Sequence, residues 1–407
     1  MASNGRRKRA LSVVSDGARL TYTDLLASAA PQNPPTEEYS PEIFAALKHP
    51  AHFTVAPPKE AQPDDEVPPI FLLRKRQATH AYARIPRPPI DLNHHGNNWG
   101  CVLFGVMFPR VSSTTFQAPS SKTARYVAIK QLRRSVVDEY LRTGGEENPY
   151  KEIARMQELG DDVHVLSCIE ALQDDQYLYI ITPMACGSGT LKDAIPWLRR
   201  QPMDPDRARE LFIQILNILL YLEQHGICHR DLSPDNFLFL SPNRLVAFDL
   251  ALSLRVPKDE NGQRTLIRPQ GNFGTRAYMP PEIYMDAVFD SVGSDLWAVA
   301  VILYNLTTNL PLYLLPHPAD LSFRYFVLAR ALSSDPPNER AVEILQTTFQ
   351  PGNEQKQHDL LLRAEAHLKL DPNVREILEH VFHVDPARRW TLAQVWESAY
   401  VRGEDEY

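Results

Sequence analysis

The chain predicts an α+β fold in two lobes, a small antiparallel β-sheet with one helix followed by a larger, mostly helical lobe. Three observations carry this. Between Trp99 and Thr182, short runs rich in β-branched and aromatic residues are separated by turn-forming ones, and a single helical stretch interrupts them. Beyond Gly187, apolar residues recur at the three- and four-residue spacing of amphipathic helices. Proline, by contrast, is densest in the first ninety residues, which hold 13 of the chain's 34, and no hydrogen-bonded ladder can run for long there.

Residues 1–90 are accordingly expected to be a mostly disordered tail, because their scattered apolar clusters cannot offset the entropy of ordering them. Tyr39 to Leu47 and Ile70 to Leu73 are the two pieces with enough apolar character to order on something. The folded domain is placed at 91–402, with its first lobe at 91–185 and its second at 186–402. In the first lobe, Gly100 to Phe108, Arg125 to Leu132, Val163 to Leu172 and Gln176 to Thr182 read as strands. Tyr150 to Leu159 reads as the helix, with Ile153, Met156 and Leu159 along one face. In the second lobe, Thr190 to Leu198 and Asp206 to His225 are helical, the latter with a stripe through Leu211, Ile215, Leu219 and Leu222. Four or more further helices follow between Ser294 and Tyr400.

The chain has 407 residues and a formal net charge of −7, which gives no general attraction to nucleic acid or anionic membrane. Neither is expected as a partner. The four cysteines, Cys101, Cys168, Cys186 and Cys228, are widely spaced and form no Cys-x-x-Cys pair, so buried reduced thiols are expected. The residues after the basic run Arg6 to Arg9 are too short and polar for a signal-peptide core, and Leu211 to Leu222 falls short of the roughly 20 residues of a membrane span. The expected location is cytoplasmic, or nuclear if Arg6 to Arg9 is an import signal rather than a solvated cluster.

Chemistry concentrates between residues 228 and 251. Two short apolar runs, Phe237 to Leu240 and Leu245 to Phe248, flank Ser-Pro-Asn-Arg and predict a β-hairpin. Such a hairpin folds Asp249 back to Asp231 and Asn236, although Asp249 lies eighteen residues beyond Asp231. Two carboxylates and an amide facing one volume suit Mg²⁺, which takes one or two carboxylates together with substrate phosphates. A carboxylate beside a metal-bound phosphate can orient a hydroxyl nucleophile. The local reading is phosphoryl transfer.

His229-Arg230-Asp231-Leu232-Ser233-Pro234-Asp235-Asn236 resembles the catalytic loop of eukaryotic protein kinases, with aspartate and asparagine five apart. Small-molecule kinases share part of that pattern. The further matches favour the protein kinases. These are the strand end Val127-Ala128-Ile129-Lys130, the segment Gly274 to Glu282, Asp295-Leu296-Trp297, and Arg389, the expected partner of Glu282. The resemblance spans roughly 91–402 and implies the two-lobed protein-kinase fold.

It also implies roles. Asp231 would orient the acceptor, with Thr275 hydrogen-bonded to it. Asn236 and Asp249 would hold Mg²⁺, Lys130 would grip the α- and β-phosphates of ATP, and Glu152 would position Lys130. Gly100, Val102, Ala128 and Leu238 fall where the family lines the nucleotide, Thr182 where it gates the adenine pocket, and Pro183 and Ala185 where hinge backbone meets the adenine edge. Arg230 marks kinases whose catalytic-loop arginine is paired by an activation-loop phosphate, supplied by an upstream kinase. Ser253 and Thr265 are the candidate acceptors.

Three positions depart from the family. In the glycine-rich loop only Gly100 is kept, with His95 and Asn97 where glycines would stand. Asp249-Leu250-Ala251 replaces Asp-Phe-Gly, and Ser233 replaces the usual phosphate-touching lysine. The resulting expectation is transfer of the γ-phosphate of Mg-ATP to Ser/Thr hydroxyls of protein substrates. The alternative is a pseudokinase that serves as a nucleotide-binding scaffold or allosteric partner.

Overall fold

The computed structural model describes residues 53–54, most of 71–323, and 369–404 apart from 384–385. Tyr39 to Leu47, the Arg6 to Arg9 run, His95 and Cys186 lie outside the described residues.

The first lobe is an eight-stranded sheet ordered β1-β2-β7-β8-β6-β5-β3, with β4 also paired to β5. Its strands are β1 Phe53–Thr54, β2 Phe71–Arg74, β3 His80–Arg84, β4 Ile90–His94, β5 Asn97–Pro109, β6 Arg125–Arg133, β7 Glu170–Gln173 and β8 Tyr177–Pro183. All neighbours are antiparallel except β2 and β7, which run parallel with Leu73 opposite Leu172. The long strand β5 pairs with β6 on one edge and on the other serves two partners, β4 along its first half and β3 along its second.

The sheet therefore begins upstream of residue 91, where the sequence reading places the domain's start. Strands β2 and β3 come from the Pro-rich stretch expected to be mostly disordered, and Leu72 is fully buried in the main core. Prolines bracket these strands without falling inside them, so the ladders keep their donors. Part of the segment Ile70 to Leu73 thus orders on this chain's own sheet. Of the run Val163 to Leu172, only the end forms a strand. The residues before it lie instead beside the hairpin of the second lobe, where Leu166 N donates to Ala247 O at 2.8 Å.

Helix α1, Arg134–Arg142, joins β6 to α2, Pro149–Leu159. Helix α1 is absent from the sequence reading, although Val136, Val137, Tyr140 and Leu141 fall at helical spacing and pack in or against the main core. Helix α2 starts where its residues dictate. Asn148 Oδ1 caps it by accepting from Tyr150 N and Lys151 N, Pro149 sits in the first turn, and Gly160 follows at φ 68°.

The second lobe opens with α3, Leu191–Ala194, shorter than the predicted Thr190 to Leu198 because Pro196 biases Ile195 away from helical torsions. Helix α4, Pro205–Gln224, begins at the Asp204 cap and buries Leu211, Ile215, Leu219 and Leu222. After it come β9 Ile227–Cys228, the hairpin β10 Phe237–Ser241 and β11 Arg244–Ala247, and β12 Leu254–Arg255 paired to β9. Helices α5 Pro281–Tyr284, α6 Ser291–Thr308, α7 Pro372–Val381, α8 Leu392–Trp396 and α9 Ala399–Arg402 complete the described lobe. Helix α6 is buried almost all round and forms its axis.

Candidate active site

The predicted hairpin forms, with Phe237 opposite Ala247 and Leu238 opposite Val246. Its closure brings the two acidic ends together, and Phe248 N donates to Asn236 O at 3.0 Å. Asp231 then sits at the centre of a polar cluster. Its Oδ1 accepts from Thr275 N at 2.7 Å and from Thr275 Oγ1 at 2.8 Å. Asn236 Nδ2 donates to Asp231 Oδ2 at 3.0 Å and to the Asp231 carbonyl at 2.7 Å. Burial pushes the Asp231 carboxyl up to about 6, and nearby Asp249 adds to the rise while the Thr275 and Asn236 bonds oppose it.

The loop is braced from beneath. Asp295 on α6 accepts from His229 N at 2.6 Å and Arg230 N at 2.9 Å. Those bonds hold Arg230, whose φ is 67°, while Asp249 at the end of the hairpin has φ 64°. They are two of the three non-glycine residues with positive φ among those described. Each such torsion costs on the order of 1 kcal/mol or more, so both persist only because the surroundings fix them.

Lys130, on β6, reaches across to α2. Its Nζ lies 2.7 Å from Glu152 Oε2 and 3.8 Å from Asp249 Oδ1. Burial disfavours the ammonium, but Asp249 and Glu152 outweigh it and hold the Lys130 pKa above its ordinary value. Asp249 Oδ1 is buried and accepts no hydrogen bond, and Asn236, having spent its N–H₂ on Asp231, has a carbonyl oxygen as its remaining function. An unsatisfied carboxylate oxygen and an amide oxygen are hard donors of the kind Mg²⁺ takes, so these residues fit that ion. No group of three or more His, Cys, Asp or Glu side chains among the described residues forms an all-protein metal cage.

A further carboxylate, absent from the sequence reading, also stands near this cluster. Glu147 precedes α2, and burial with the charge of Asp249 pushes its carboxyl up to about 7. A sequence signal for it is slight, since nothing in Gly-Gly-Glu-Glu-Asn distinguishes an inward glutamate from a solvated one.

The residues expected to line the nucleotide fall on one stretch of sheet. Val102 on β5 is opposite Lys130, Ala128 is opposite both Phe104 and Thr182, and Pro183 ends β8 opposite Val127. Pro183 has only a carbonyl to offer, while the adjacent Met184 N is already engaged with Tyr126 O at 3.1 Å. Ala185 follows at the strand's exit, and Leu238 on β10 is partly buried and bridged to Thr190. Gly100 has φ 153°, and a Cβ there would collide with the Gln131 carbonyl, so glycine is needed for the strand crossing itself.

The departures have structural counterparts. Ala251 is buried in a turn, and its carbonyl accepts from Asn148 N at 3.1 Å. Ser233 is fully buried with an unpartnered hydroxyl, so it does not stand in for the lysine at the cleft. Ser253 and Thr265 are also buried, at 0% and 9% exposure.

Beyond Thr275, the segment is anchored by Glu282, whose carboxylate receives Arg389 Nη1 at 2.5 Å and Nη2 at 2.8 Å. The Arg389 guanidinium also lies over the Trp297 ring, and Trp297 Nε1 donates to Tyr313 Oη at 2.6 Å. Tyr313 in turn donates to Met279 O at 3.0 Å. Arg389→Met would strand a buried carboxylate and is expected to destabilise the chain by about 3–5 kcal/mol. Urea denaturation checks this. Pairing it with Glu282→Gln should recover much of the loss.

Comparison with known proteins adds a family assignment. The protein kinase domain model matches residues 111–401. Curated relatives include CBL-interacting protein kinase 11 of Oryza sativa subsp. japonica, 30% identical over 217 residues, covering 53% of this chain and 40% of that one. CBL-interacting serine/threonine-protein kinase 21 of Arabidopsis thaliana is 30% identical over 186 residues, 46% of this chain and 41% of that protein. Ribosomal protein S6 kinase alpha-6 of Homo sapiens is 24% identical over 265 residues, 64% of this chain and 30% of its own. The chain spans less than half the length of each of these relatives.

Proposed function

Because the chain belongs to the protein kinase domain family, we propose that it transfers the γ-phosphate of Mg-ATP to Ser/Thr hydroxyls of protein substrates. The observation that carries this is the closed Lys130–Glu152 pair, 2.7 Å apart, in the same cleft as Asp231, Asn236 and Asp249. A pair formed across two elements, β6 and α2, places a charged amine beside the carboxylate Asp249 before any ligand arrives. Preorganised charge of this kind is what phosphoryl transfer demands, since little covalent chemistry falls to the protein.

In this reading Lys130 binds phosphate oxygens and Glu152 keeps the amine from collapsing onto Asp249. When bound, Mg²⁺ would neutralise the polyphosphate charge, with Asn236 and Asp249 as its protein ligands. Asp231 accepts the hydrogen bond of the incoming hydroxyl and takes its proton. Thr275 orients Asp231 through two bonds to one oxygen. A threonine there, together with relatives named as serine/threonine kinases, supports Ser/Thr as the acceptor.

The experiment is transfer of labelled γ-phosphate to a generic protein substrate, followed by phosphoamino-acid analysis. Phosphoserine and phosphothreonine are expected. Phosphotyrosine alone would overturn the acceptor assignment. Silence, with ATP still raising the melting temperature, would favour a nucleotide-binding scaffold.

The pH profile offers a second check. A base must be ionised to accept a proton, and the Asp231 carboxyl is pushed up to about 6. Activity is therefore present above that value and lost as pH falls through it, giving kcat/KM an acid limb near pH 6. A profile flat down to pH 5 would remove Asp231 from that role.

A further inference from the structure

Arg230 is placed by the family pattern to receive an activation-loop phosphate, yet the loop has no hydroxyl to offer it. Residues 252–273 contain only two, Ser253 and Thr265. Both are buried, and the Ser253 hydroxyl is already donated to Leu250 O at 2.7 Å. The guanidinium nevertheless sits in the interior, with its side chain 3% exposed. A buried guanidinium cannot lose its proton, so its charge must be balanced by something near it.

The balancing group comes from the opposite direction. Glu146 Oε2 lies 3.8 Å from Arg230 Nη1, the Leu252 carbonyl lies 3.4 Å from the same nitrogen, and the Phe273 ring covers the guanidinium at 5.8 Å. Glu146 belongs to the short connection between α1 and α2, which is pinned at both ends. Gly145 N donates to Tyr140 O at 2.9 Å, and a side chain at Gly145 would strike the Tyr140 ring. At the other end, Asn148 N donates to Ala251 O at 3.1 Å while its side chain caps α2. Lys151, one turn into α2, is buried beside Arg230, and burial with that neighbouring charge holds its ammonium down to about 7. The excess positive charge around Glu146 is thereby reduced.

A continuous mechanical link results. Arg230 is adjacent to Asp231, Glu146 ties Arg230 to the α2 cap, and α2 carries Glu152, which holds Lys130. A loop phosphate makes the same kind of tie in a kinase that needs one, through charge-assisted bonds to arginine. Here a carboxylate already built into the chain is in place to make it.

We propose that Glu146 is a positioning residue that acts in place of an activation-loop phosphate, holding Arg230 to the α2 cap so that no upstream phosphorylation of residues 252–273 is required. The proposal rests on the phosphotransferase reading above, and its test separates the two. Full-length protein is treated with a phosphatase, shown by intact mass to carry no phosphate, and compared with Glu146→Ala and Glu146→Asp. Turnover, melting temperature and amide hydrogen exchange in residues 149–159 and 228–236 are measured for each.

Dephosphorylated wild type is expected to keep its turnover within about twofold. Glu146→Ala should lose about tenfold or more in kcat, as misplaced catalytic groups do, with faster exchange in both segments and a lower melting temperature, because the buried Arg230 charge is left unbalanced. Glu146→Asp should recover part of the loss, and added acetate should partly restore Glu146→Ala but not Asp231→Asn. Turnover measured well below the melting midpoint of every variant separates positioning from stability, since a side chain that only stabilises would leave kcat unchanged there. Loss of wild-type activity on dephosphorylation, or Glu146→Ala with wild-type turnover and exchange, overturns the proposal. If wild type transfers nothing in either state, the phosphotransferase reading fails. Exchange then decides the positioning role on its own.

Discussion

Asp231→Asn is expected to lower kcat by about 10²- to 10⁴-fold, the range for losing a positioned base, while the KM for ATP and the fold are largely kept. The substitution preserves shape. The side-chain oxygen can still accept from Thr275 N and Oγ1, the two bonds at 2.7 and 2.8 Å that fix the orientation of Asp231. The new amide nitrogen, however, faces Asn236 Nδ2, which now donates to Asp231 Oδ2 at 3.0 Å. Two donors then meet, a mismatch that costs about 1–3 kcal/mol unless Asn236 rotates. Rotation would bring its amide nitrogen where a cation-binding oxygen belongs. A modest drop in melting temperature should therefore accompany the loss of turnover, and the acid limb near pH 6 set by the Asp231 carboxyl should vanish. Retention of more than a tenth of wild-type kcat would show that Asp231 is not the group that receives the proton.

The cleft's polar residues were legible because their spacing is local or tied to strand ends. Asp231 and Asn236 share one loop, Asp249 follows a hairpin whose two apolar runs are visible in the sequence, and Lys130 ends a β-branched run. Glu152 was legible through helical register, one turn before Met156. Partnerships that depend on how separate elements settle were not legible. Glu146 and Glu147 lie in a turn whose residues give no periodicity, and their approach to Arg230 and Asp249 follows from how the connection between α1 and α2 settles against the catalytic loop. The tie of Asn148 N to the Ala251 carbonyl is likewise a backbone contact with no side-chain signature. Proline density misled for a related reason. It reports where a ladder is interrupted, and the short strands β2 and β3 fit between the interruptions.

A chain begun at residue 91, the boundary that the sequence suggests, is expected to fold poorly or not at all, whereas one begun at residue 70 should melt close to the full chain. The shorter form loses Leu72, fully buried in the main core. Removing that side chain alone, as Leu72→Ala, is expected to cost about 2–5 kcal/mol. It also strands Glu170, whose side chain is 4% exposed and accepts from Thr79 N, Thr79 Oγ1 and Tyr82 Oη at 2.5, 2.8 and 2.6 Å. Losing those hydrogen bonds and uncovering the β7 edge costs several kcal/mol more, a large part of the stability of a typical domain, about 5–15 kcal/mol. The consequence reaches the cleft through the sheet. Strand β2 pairs with β7, β7 with β8, and β8 with β6, which places Ile180 opposite Lys130. Thermal melts of both truncations and of Leu72→Ala in the full chain measure this directly. If the chain begun at 91 melted within about 3 °C of full length, a shift worth roughly 1 kcal/mol at this size, the leader strands would be passengers on the sheet. A large loss would instead make them part of the scaffold that sets Lys130 against Glu152.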